Sequence, residues 1–424
     1  MANRKLELRC VGCGATYAPH RLHCDRCDGL LRSQYAVRAF EPKNRSDLFA
    51  FQDWLPSAAA ADLHIGSAVY HSEHLATHLG LSHLAIAFSG YAPEFGAENP
   101  TGSFKDFEAA PSLLYYREHG IDSLVLASAG NTARAFAYAG VRLEFPVIIV
   151  VPERALDRLW IPCEPTSAVR LVVLEGCDDY ATAIRTAGEI GRVLDIANEG
   201  GARNVARRDG MSTAMLEYAK QTGSLPAHYI QAIGSGTGAI AVWEASQRLV
   251  GAGVGTELPA LHLSQNAPFT PIHDAWTSDA PIEQDANVED QLRRIDQIDA
   301  LVLANRTPPY AIPGGVRDAL TSTGGHTYAV TNGEARAAAV LFEETEGLAI
   351  GPAAAVATAA LIQAIEAGRI KPDEAVLLHI TGNNETLLQR DFTLRRIEPT
   401  WKVHPQTVTE KAIRSASDRL ASPR

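Results

Sequence analysis

The chain has 424 residues, of which 46% are hydrophobic, and a formal net charge of −11 at pH 7. Its lysines and arginines form no broad cluster that could follow a phosphate backbone, so neither nucleic acid nor an anionic membrane surface is an expected partner. The amino terminus, MANRKLELRC, lacks the apolar core of a secretory signal, and the longest uncharged run is Ala-rich and too short for a membrane span. We therefore expect a cytoplasmic enzyme or binding protein.

The first chemical signal along the chain is a cysteine cluster. Cys10, Cys13, Cys24 and Cys27 form two C-x2-C pairs. Two such pairs can place four thiolates around one zinc ion and leave no ligand position for water. Two short disulfides are the alternative, which a cytoplasmic location disfavours. The sequence therefore predicts a structural Zn²⁺ site in a zinc-ribbon-like segment over residues 1–34.

Apolar runs alternate with helical patterns from about residue 65 onward. The runs LAIAFSG, SLVLASAGN, PVIIVVPE, VRLVVLEG and HYIQAIGSGTG are each followed by a predicted helix, and a predicted helix at about residues 353–367 precedes EAVLLHITG. Buried strands that alternate with helices indicate parallel βαβ units, so the predicted fold class is α/β. The segment 267–313 is rich in Pro, Asp and Thr, and we expect a long loop or insertion there.

Four loops follow predicted strands or begin predicted helices. They read ENPTGSFKD, SAGNTA, GSGTGA and TGNN. In an open parallel sheet, ligands bind beyond the carboxyl ends of the strands, where helix amino termini and glycine turns face one crevice. Each loop is therefore a candidate wall of the same site.

The third of these loops is a candidate anion site. Gly234, Ser235, Gly236, Thr237 and Gly238 lie between a strand and a helix, where backbone N–H groups and the helix amino terminus favour a phosphate. The lysine of a nucleotide-binding phosphate loop is missing, which disfavours ATP. A glycine-rich turn without a ligand remains the alternative.

Lys105 raises a different question, because a lysine at a helix start opposes the helix macrodipole. A surface lysine after a turn is one interpretation. Another is a lysine that forms an imine with a carbonyl cofactor, which makes its amine part of the covalent chemistry. The cofactor that needs both such a lysine and a phosphate cradle is pyridoxal 5′-phosphate.

ENPTGSFKD, SAGN, GSGTG, EGLAIGPAAA and TGNN, in this order, resemble the threonine synthase group of fold-type II pyridoxal-phosphate enzymes. The resemblance covers roughly residues 91–384. It implies that Lys105 carries the cofactor as an aldimine and later acts as general base, that Asn131 contacts the ring oxygen, that Gly234 to Gly238 bind the phosphate, and that Thr381 faces the ring nitrogen.

The resemblance also implies a tryptophan synthase β-like architecture of two α/β domains with twisted, mostly parallel sheets. We expect the large, cofactor-binding domain at residues 35–120 and 226–395 and the small domain at residues 121–225. Residues 396–424 are expected to form a tail with a terminal helix. A homodimer is the assembly that the resemblance suggests.

The predicted substrate site combines a helix start with several basic residues. Ser128, Ala129, Gly130 and Thr132 precede or begin a helix and can donate to an α-carboxylate. In GGARNVARRDGM, we expect Asn204 and Arg207 to hold an anion, with Arg203 next, and Arg208 to be solvated. Arg134 either reaches the pocket or is an exposed helix residue.

SFKDFEA, SAGNTARAFA and GGARNVARRDGM depart from the usual threonine synthase pattern and resemble cysteate synthases, a family within that group. The implied reaction is β-replacement, in which O-phospho-L-serine loses phosphate through an aminoacrylate and sulfite adds to give L-cysteate. Guanidinium groups suit such small oxyanions. The alternatives are threonine synthesis from O-phosphohomoserine, β-replacement with another nucleophile, and a non-enzymatic zinc-ribbon protein that only binds a ligand.

Overall fold

A computed structural model describes residues 6–177, 180–282 and 287–420 of the chain. Residues 1–5 of the predicted ribbon segment and residues 421–424 of the predicted tail lie outside the described residues. The described part contains three main sheets, and we number its strands and α-helices in chain order.

The strands differ in burial according to their place in the fold. Those of the two large sheets include runs that are buried throughout, such as VIIVVP and VRLVVL. The strands are β1 (Leu6–Cys10), β2 (Thr16–Tyr17), β3 (Leu31–Tyr35), β4 (Ala68–His71), β5 (His83–Phe88), β6 (Tyr91–Ala92), β7 (Ala97–Glu98), β8 (Leu124–Ala127), β9 (Val147–Pro152), β10 (Trp160–Ile161), β11 (Val169–Leu174), β12 (Ala197–Asn198), β13 (His228–Ala232), β14 (Ala260–Asn266), β15 (His326–Val330), β16 (Ala375–Ile380), β17 (Arg395–Arg396) and β18 (Pro399–Val403).

Helices follow most strands of the two large sheets, and several cover the sheet faces. They are α1 (His74–Leu79), α2 (Asp106–Glu118), α3 (Asn131–Arg142), α4 (Tyr180–Leu194), α5 (Val205–Met211), α6 (Thr213–Thr222), α7 (Thr237–Gly251), α8 (Pro271–Ser278), α9 (Val288–Ile295), α10 (Val316–Ser322), α11 (Asn332–Glu346), α12 (Pro352–Glu366), α13 (Thr386–Asp391), α14 (Glu410–Ser415) and α15 (Ser417–Leu420).

The larger sheet has the strand order β15-β14-β13-β16-β5-β4. All neighbours pair in parallel except β4 and β5, which are antiparallel. Helix α12 packs across β13, β14 and β16. Because helices cover this sheet, the central strands β13 and β14 are buried along almost their whole length, and polar residues such as Gln231 and His262 lie among their apolar ones. The predicted α/β class is thus confirmed for this sheet.

The second sheet has the order β12-β8-β9-β11-β18 and is parallel throughout. Helix α4 packs on β8 and β9, while α3 lies against β9 and β10. Its last strand, β18, comes from the segment that the sequence assigned to a tail. Pairing of Leu174 with Val403 joins that segment to the sheet. The domain boundaries themselves stay a prediction.

The amino-terminal segment forms a small antiparallel sheet in the order β2-β1-β3. The buried side chains of Leu6, Leu8 and Leu31 join the same apolar cluster as helices α5, α6 and α7. The amino-terminal segment therefore shares an apolar core with the larger part of the fold.

The segment 267–313 is more regular than the sequence suggested. Its described part contains α8 and α9, and the remainder includes the turn Leu301–Leu303. Helix α8 begins with Pro271 at its first position, which a helix tolerates because the first N–H has no intrahelical partner. The expectation of a loop was therefore wrong for the residues of α8 and α9, whereas the alternative, an insertion, stays a prediction.

Among residues 6–177, 180–282 and 287–420, no helix combines the length and the apolar character that a membrane span requires.

Candidate active site

A cavity of about 1140 Å³ lies where loops from both large sheets meet. Its lining includes most residues that the sequence nominated for cofactor and substrate. These are Lys105, Ser128, Ala129, Gly130, Asn131, Thr132, Arg203, Arg207, Gly234, Ser235, Gly236, Thr237, Gly238 and Thr381. The four loops are therefore walls of one space, as the parallel-sheet rule predicts.

The loop before Lys105 is held by the buried side chain of Asn99. Its amide nitrogen donates to the carbonyl oxygens of Gly66, at 2.9 Å, and Gly90, at 3.0 Å. Its oxygen accepts from the Gly66 N–H at 2.9 Å. Asn99 thus ties the loop to the chain on either side of β5.

Asp106 closes the same loop from the other end. Its carboxylate accepts from the backbone N–H and the hydroxyl of Thr101, each at 2.9 Å. Burial raises the pKa of Asp106 to about 7 against the effect of these two hydrogen bonds. The loop between Thr101 and Asp106 therefore returns on itself and places Lys105 directly before α2.

The amine of Lys105 lies in a partly buried, charged setting. Its Nζ is 3.3 Å from Oε2 of Glu108, one turn along the chain. Burial lowers the pKa of Lys105; Glu108 opposes that shift, and the charge of Arg207 adds to it. A lowered pKa makes the neutral, nucleophilic amine more available than that of an ordinary lysine.

The glycine loop forms the amino end of α7. Gly236 has φ of 75°, a region that glycine adopts without strain, and α7 begins at Thr237 without a side-chain cap. A side chain at Gly234 would come within 3.0 Å of the Leu303 carbonyl oxygen, and one at Gly238 within 2.6 Å of Gln231. The loop is therefore closely packed against Leu303 and Gln231, which line the cavity with it, and the free N–H groups of a helix start suit an anion.

The turn from Ser128 to Thr132 opens α3. The hydroxyl of Ser128 accepts from the N–H of Ala133 at 3.1 Å, so it caps the helix as well as lining the cavity. The side-chain oxygen of Asn131 accepts from the guanidinium of Arg134. This turn therefore brings a second helix amino terminus to the cavity.

Two nominated residues are directed elsewhere. Arg134 pairs with Glu385 at 3.0 Å and stacks 4.2 Å above the ring of Trp160. Asn204 is buried and caps α5, accepting from the N–H of Ala206 at 2.9 Å. Neither residue is among those that line the cavity. The expectation that Asn204 holds a substrate anion is corrected, because its polar atoms are engaged within the protein.

Arg207 lines the cavity but already has two carboxylate partners. Glu199 accepts from its Nε at 2.8 Å and from one terminal nitrogen at 2.6 Å, and Glu108 accepts from the other at 3.0 Å. Its charge is therefore balanced inside the protein. A free anion would have to compete with these two carboxylates.

Arg208 is not solvated, contrary to the sequence expectation. Its side chain is fully buried and pairs with Glu244 of α7 at 3.0 Å. It also donates to the backbone oxygens of Leu31 and Ala202. The contact with Leu31 joins strand β3 of the amino-terminal sheet to α5.

Several residues of the cavity were not found by sequence reasoning. Glu199 and Tyr180 come from neighbouring elements, whereas Arg154 and Arg158 lie on the turn after β9. Leu22 and His23 reach it from the amino-terminal segment. None of these residues belongs to a local motif, so their signal lies only in the tertiary arrangement.

The four amino-terminal cysteines converge as their spacing predicted. Their sulfur atoms all lie within 4.8 Å of one another. Cys10 Sγ is 3.4 Å from Cys27 Sγ, and Cys13 Sγ is 3.5 Å from Cys24 Sγ. Four thiols at such distances are a donor set for a tetrahedral metal ion.

The cavity joins a partly buried amine, two helix amino termini and a glycine turn on an α/β scaffold. Residues 97–382 match the family of pyridoxal-phosphate dependent enzymes, so the chain belongs to this family. The chain is 45% identical to a cysteate synthase of Methanosarcina barkeri over 396 residues, which are 93% of this chain and 95% of that protein. A cysteate synthase of Methanosphaerula palustris is 46% identical over 397 residues, 92% of each chain. Within the larger family, the chain is a member of the cysteate synthases.

Solved structures support the fold. A fungal L-serine ammonia-lyase from Rhizomucor miehei has a TM-score of 0.58 at 16% identity, covering 78% of this chain and 99% of that one. Threonine deaminase isoform 2 from Solanum lycopersicum has a TM-score of 0.57 at 16% identity, covering 82% and 94%. The predictions of a fold-type II scaffold and of a pyridoxal-phosphate enzyme are confirmed.

The residues present fit this cofactor. Pyridoxal phosphate needs an amine of lowered pKa and a seat for a dianion, which Lys105 and the start of α7 offer within one cavity. The hydroxyl-bearing Thr381 follows β16 and lines the same space. These residues fit the cofactor that defines the family.

Proposed function

We propose that this enzyme replaces the phosphate of O-phospho-L-serine with sulfite and forms L-cysteate. The bond between Cβ and the phosphate oxygen breaks, and sulfite supplies the electron pair for the new carbon–sulfur bond. The observation that supports this most is the shared cavity of Lys105, Gly234 to Gly238 and the turn from Ser128 to Thr132. The chain carrying it is 45–46% identical to cysteate synthases.

Bound pyridoxal phosphate would supply the electron sink that makes the Cα proton of the amino acid acidic. In the proposed reaction, Lys105 provides the amine that holds the cofactor. Its Nζ then takes the proton from Cα and returns it to the same atom after replacement. The first turn of α7 and Gly234 to Gly238 would hold the cofactor phosphate, and Asn131 and Thr381 would hold its ring.

The amino acid and the two oxyanions need separate contacts. We assign the α-carboxylate to the turn Ser128, Ala129, Gly130 and Thr132, which opens α3. Arg203 lines the cavity, and its Nη1 donates a hydrogen bond to the Asp28 carbonyl oxygen at 3.2 Å. Arg154 and Arg158 line another part of the same cavity. We assign the leaving phosphate and the incoming sulfite to these three guanidinium groups. Arg207 is held by two buried carboxylates, whereas Arg154 has a longer pair, of 3.7 Å, with the exposed carboxylate of Asp296.

Paired substrate assays test the proposed reaction. Phosphoserine with sulfite is expected to yield phosphate and L-cysteate together, whereas O-phosphohomoserine yields neither threonine nor phosphate at a comparable rate. Released phosphate and the amino acid products are measured with and without sulfite. Threonine from phosphohomoserine would overturn the substrate assignment in favour of the alternative, and a product from another nucleophile alone would overturn sulfite.

We further propose that Cys10, Cys13, Cys24 and Cys27 bind a structural Zn²⁺ ion. The ion would stabilise the segment that brings Leu22 and His23 to the cavity. Cys24→Ser is expected to lower zinc content from about one per chain, to lower the melting temperature and to raise KM for phosphoserine. Elemental analysis, thermal unfolding and kinetics measure these effects. Cys163→Ser, outside the cluster, is the control and is expected to change none of them.

A wild-type protein that contains no metal, with a Cys24→Ser variant of unchanged stability and KM, would overturn the zinc proposal and leave the cofactor chemistry untouched. The homodimer and the cytoplasmic location stay predictions.

A further inference from the structure

A largely buried group of four charges lies at the wall of the cavity. It consists of Lys105, Glu108, Arg207 and Glu199. Lys105 Nζ lies 3.3 Å from Glu108, and the same carboxylate oxygen lies 3.0 Å from Arg207. Glu199 holds the other side of the Arg207 guanidinium at 2.6 Å. Two cations and two anions thus balance one another, and Glu108 is the member that bridges both cations.

Glu108 is placed to do more than neutralise Arg207. Its side chain is 0% exposed, whereas that of Lys105 retains 20% exposure. Within the described residues, no donor satisfies its second oxygen, Oε1. A buried carboxylate with an open acceptor position is costly unless a mobile cation uses it. The side chain of Lys105, one helical turn away, is the cation at hand.

We infer that Glu108 is a positioning residue that receives the amine of Lys105 whenever the substrate has displaced it, and that it holds the resulting ammonium ion. The proton that Lys105 Nζ takes from the substrate Cα then stays on Nζ until it is returned, and Glu108 stabilises it there without accepting it. This inference rests on the proposed role of Lys105 and adds a residue to the same site.

Electrostatics give the reason. Lys105 faces Glu108 on α2, Arg207 on α5 and Glu199 on the turn after β12. Burial and Arg207 lower its pKa, and the two carboxylates raise it. Without Glu108, the ammonium form would face Arg207, and Glu199, which holds the other side of that guanidinium, would be the remaining carboxylate of the group. The protonated amine would then be disfavoured at the step that requires it.

A purely structural role for Glu108 makes a different prediction. If it only anchored Arg207, its loss would lower stability but leave the protonation of Lys105 unchanged. The experiment therefore measures Lys105 itself. The full-length protein, resolved from its cofactor, is acylated briefly with acetic anhydride across a pH range, and the fraction labelled at Lys105 is read by peptide mass spectrometry.

The labelling midpoint reports the protonation of this amine. In Glu108→Gln, the midpoint is expected about one to three pH units lower than in the wild type, because the attracting charge is lost. Glu108→Asp keeps the negative charge, but its shorter side chain places the carboxylate farther from Lys105 Nζ. We therefore expect a labelling midpoint between those of the wild type and Glu108→Gln. The absorbance of the cofactor-loaded variants against pH provides a second spectroscopic readout and is expected to shift as well.

Glu244→Gln is the matched control, because Glu244 is also a buried carboxylate paired with an arginine, Arg208, away from the cavity. It is expected to lower stability and leave the Lys105 midpoint unchanged. An unchanged midpoint in folded Glu108→Gln, or an equal shift in Glu244→Gln, would overturn the inference. If Glu108→Gln fails to fold, the test rests on Glu108→Asp. A wild-type labelling midpoint in that variant would overturn the inference.

The outcome is separable from that of the proposed function. Borohydride reduction of the wild-type holoenzyme shows which lysine carries the cofactor. Attachment to a lysine other than Lys105 would overturn the proposed site and with it the role of Glu108. Attachment to Lys105 without a midpoint shift would overturn only the role of Glu108.

Discussion

Replacing Lys105 with alanine is expected to lower kcat by roughly 10³-fold or more while the fold remains intact. Of the described residues that line the cavity, Lys105 is the one lysine, so no second amine is in place to hold the cofactor carbonyl or to move the Cα proton. The Lys105 side chain is partly exposed and makes one ion pair, with Glu108, so we expect its removal to leave the fold intact. Phosphate release from phosphoserine measures the loss, and borohydride is expected to attach no cofactor to the variant chain.

Lys371→Ala is the control for this variant. Lys371 is 74% exposed and pairs with Glu374 outside the cavity, so wild-type turnover is expected. A Lys105→Ala variant that keeps more than about a tenth of wild-type kcat would contradict the assignment of both roles to one amine. Partial rescue by added methylamine would support it, since a free amine can then move the proton.

The fold and the cofactor could be predicted because their signals are local. A parallel sheet gathers the ends of its strands at one edge, so glycine turns far apart in sequence meet without any knowledge of their contacts. Gly236 and the helix start at Thr237 belong to one short loop, and its residue types already indicate an anion site. The same argument applies to the four cysteines, whose spacing alone predicted their convergence.

The basic residues around GGARNVARRDGM show where this reasoning ends. Asn204 is a typical helix N-cap residue, and its place directly before α5 could have suggested capping. The burial of Arg208 could not have been predicted in this way, because its partner Glu244 lies on α7, far along the chain. A charged side chain is assigned to solvent unless its partner is known, and only the tertiary structure supplies that partner.

Glu108 lies between these two cases. Its separation of three residues from Lys105 on a helix is the spacing at which a carboxylate and an amine interact, so this contact could have been inferred from sequence. The second contact, with Arg207, depends on how α5 packs against α2. Local spacing therefore indicates half of the charge group, and helix packing determines the rest.

That packing depends on a glycine, and Gly210→Ala is expected to cost about 3 kcal/mol or more, or to prevent folding. Gly210 lies on α5 where it touches α2. A methyl group there would lie 1.9 Å from the Phe107 carbonyl oxygen and 3.1 Å from Pro111. Because backbone atoms cannot turn away as a side chain does, the two helices must separate, which also pulls Arg207 from Glu108. Chemical unfolding measures the loss.

Gly188→Ala is the matched substitution, since Gly188 is an exposed residue of α4 and its added methyl group would meet no atom within 4 Å outside the adjoining backbone of its own helix. It is expected to stabilise the protein by roughly 0.5–1 kcal/mol, because alanine loses less backbone entropy in a helix. Gly210→Ala with wild-type stability would mean that α2 and α5 do not meet as closely as the structure describes. The charge group would then lack the rigid support that lets Glu108 face Lys105 and Arg207 at once.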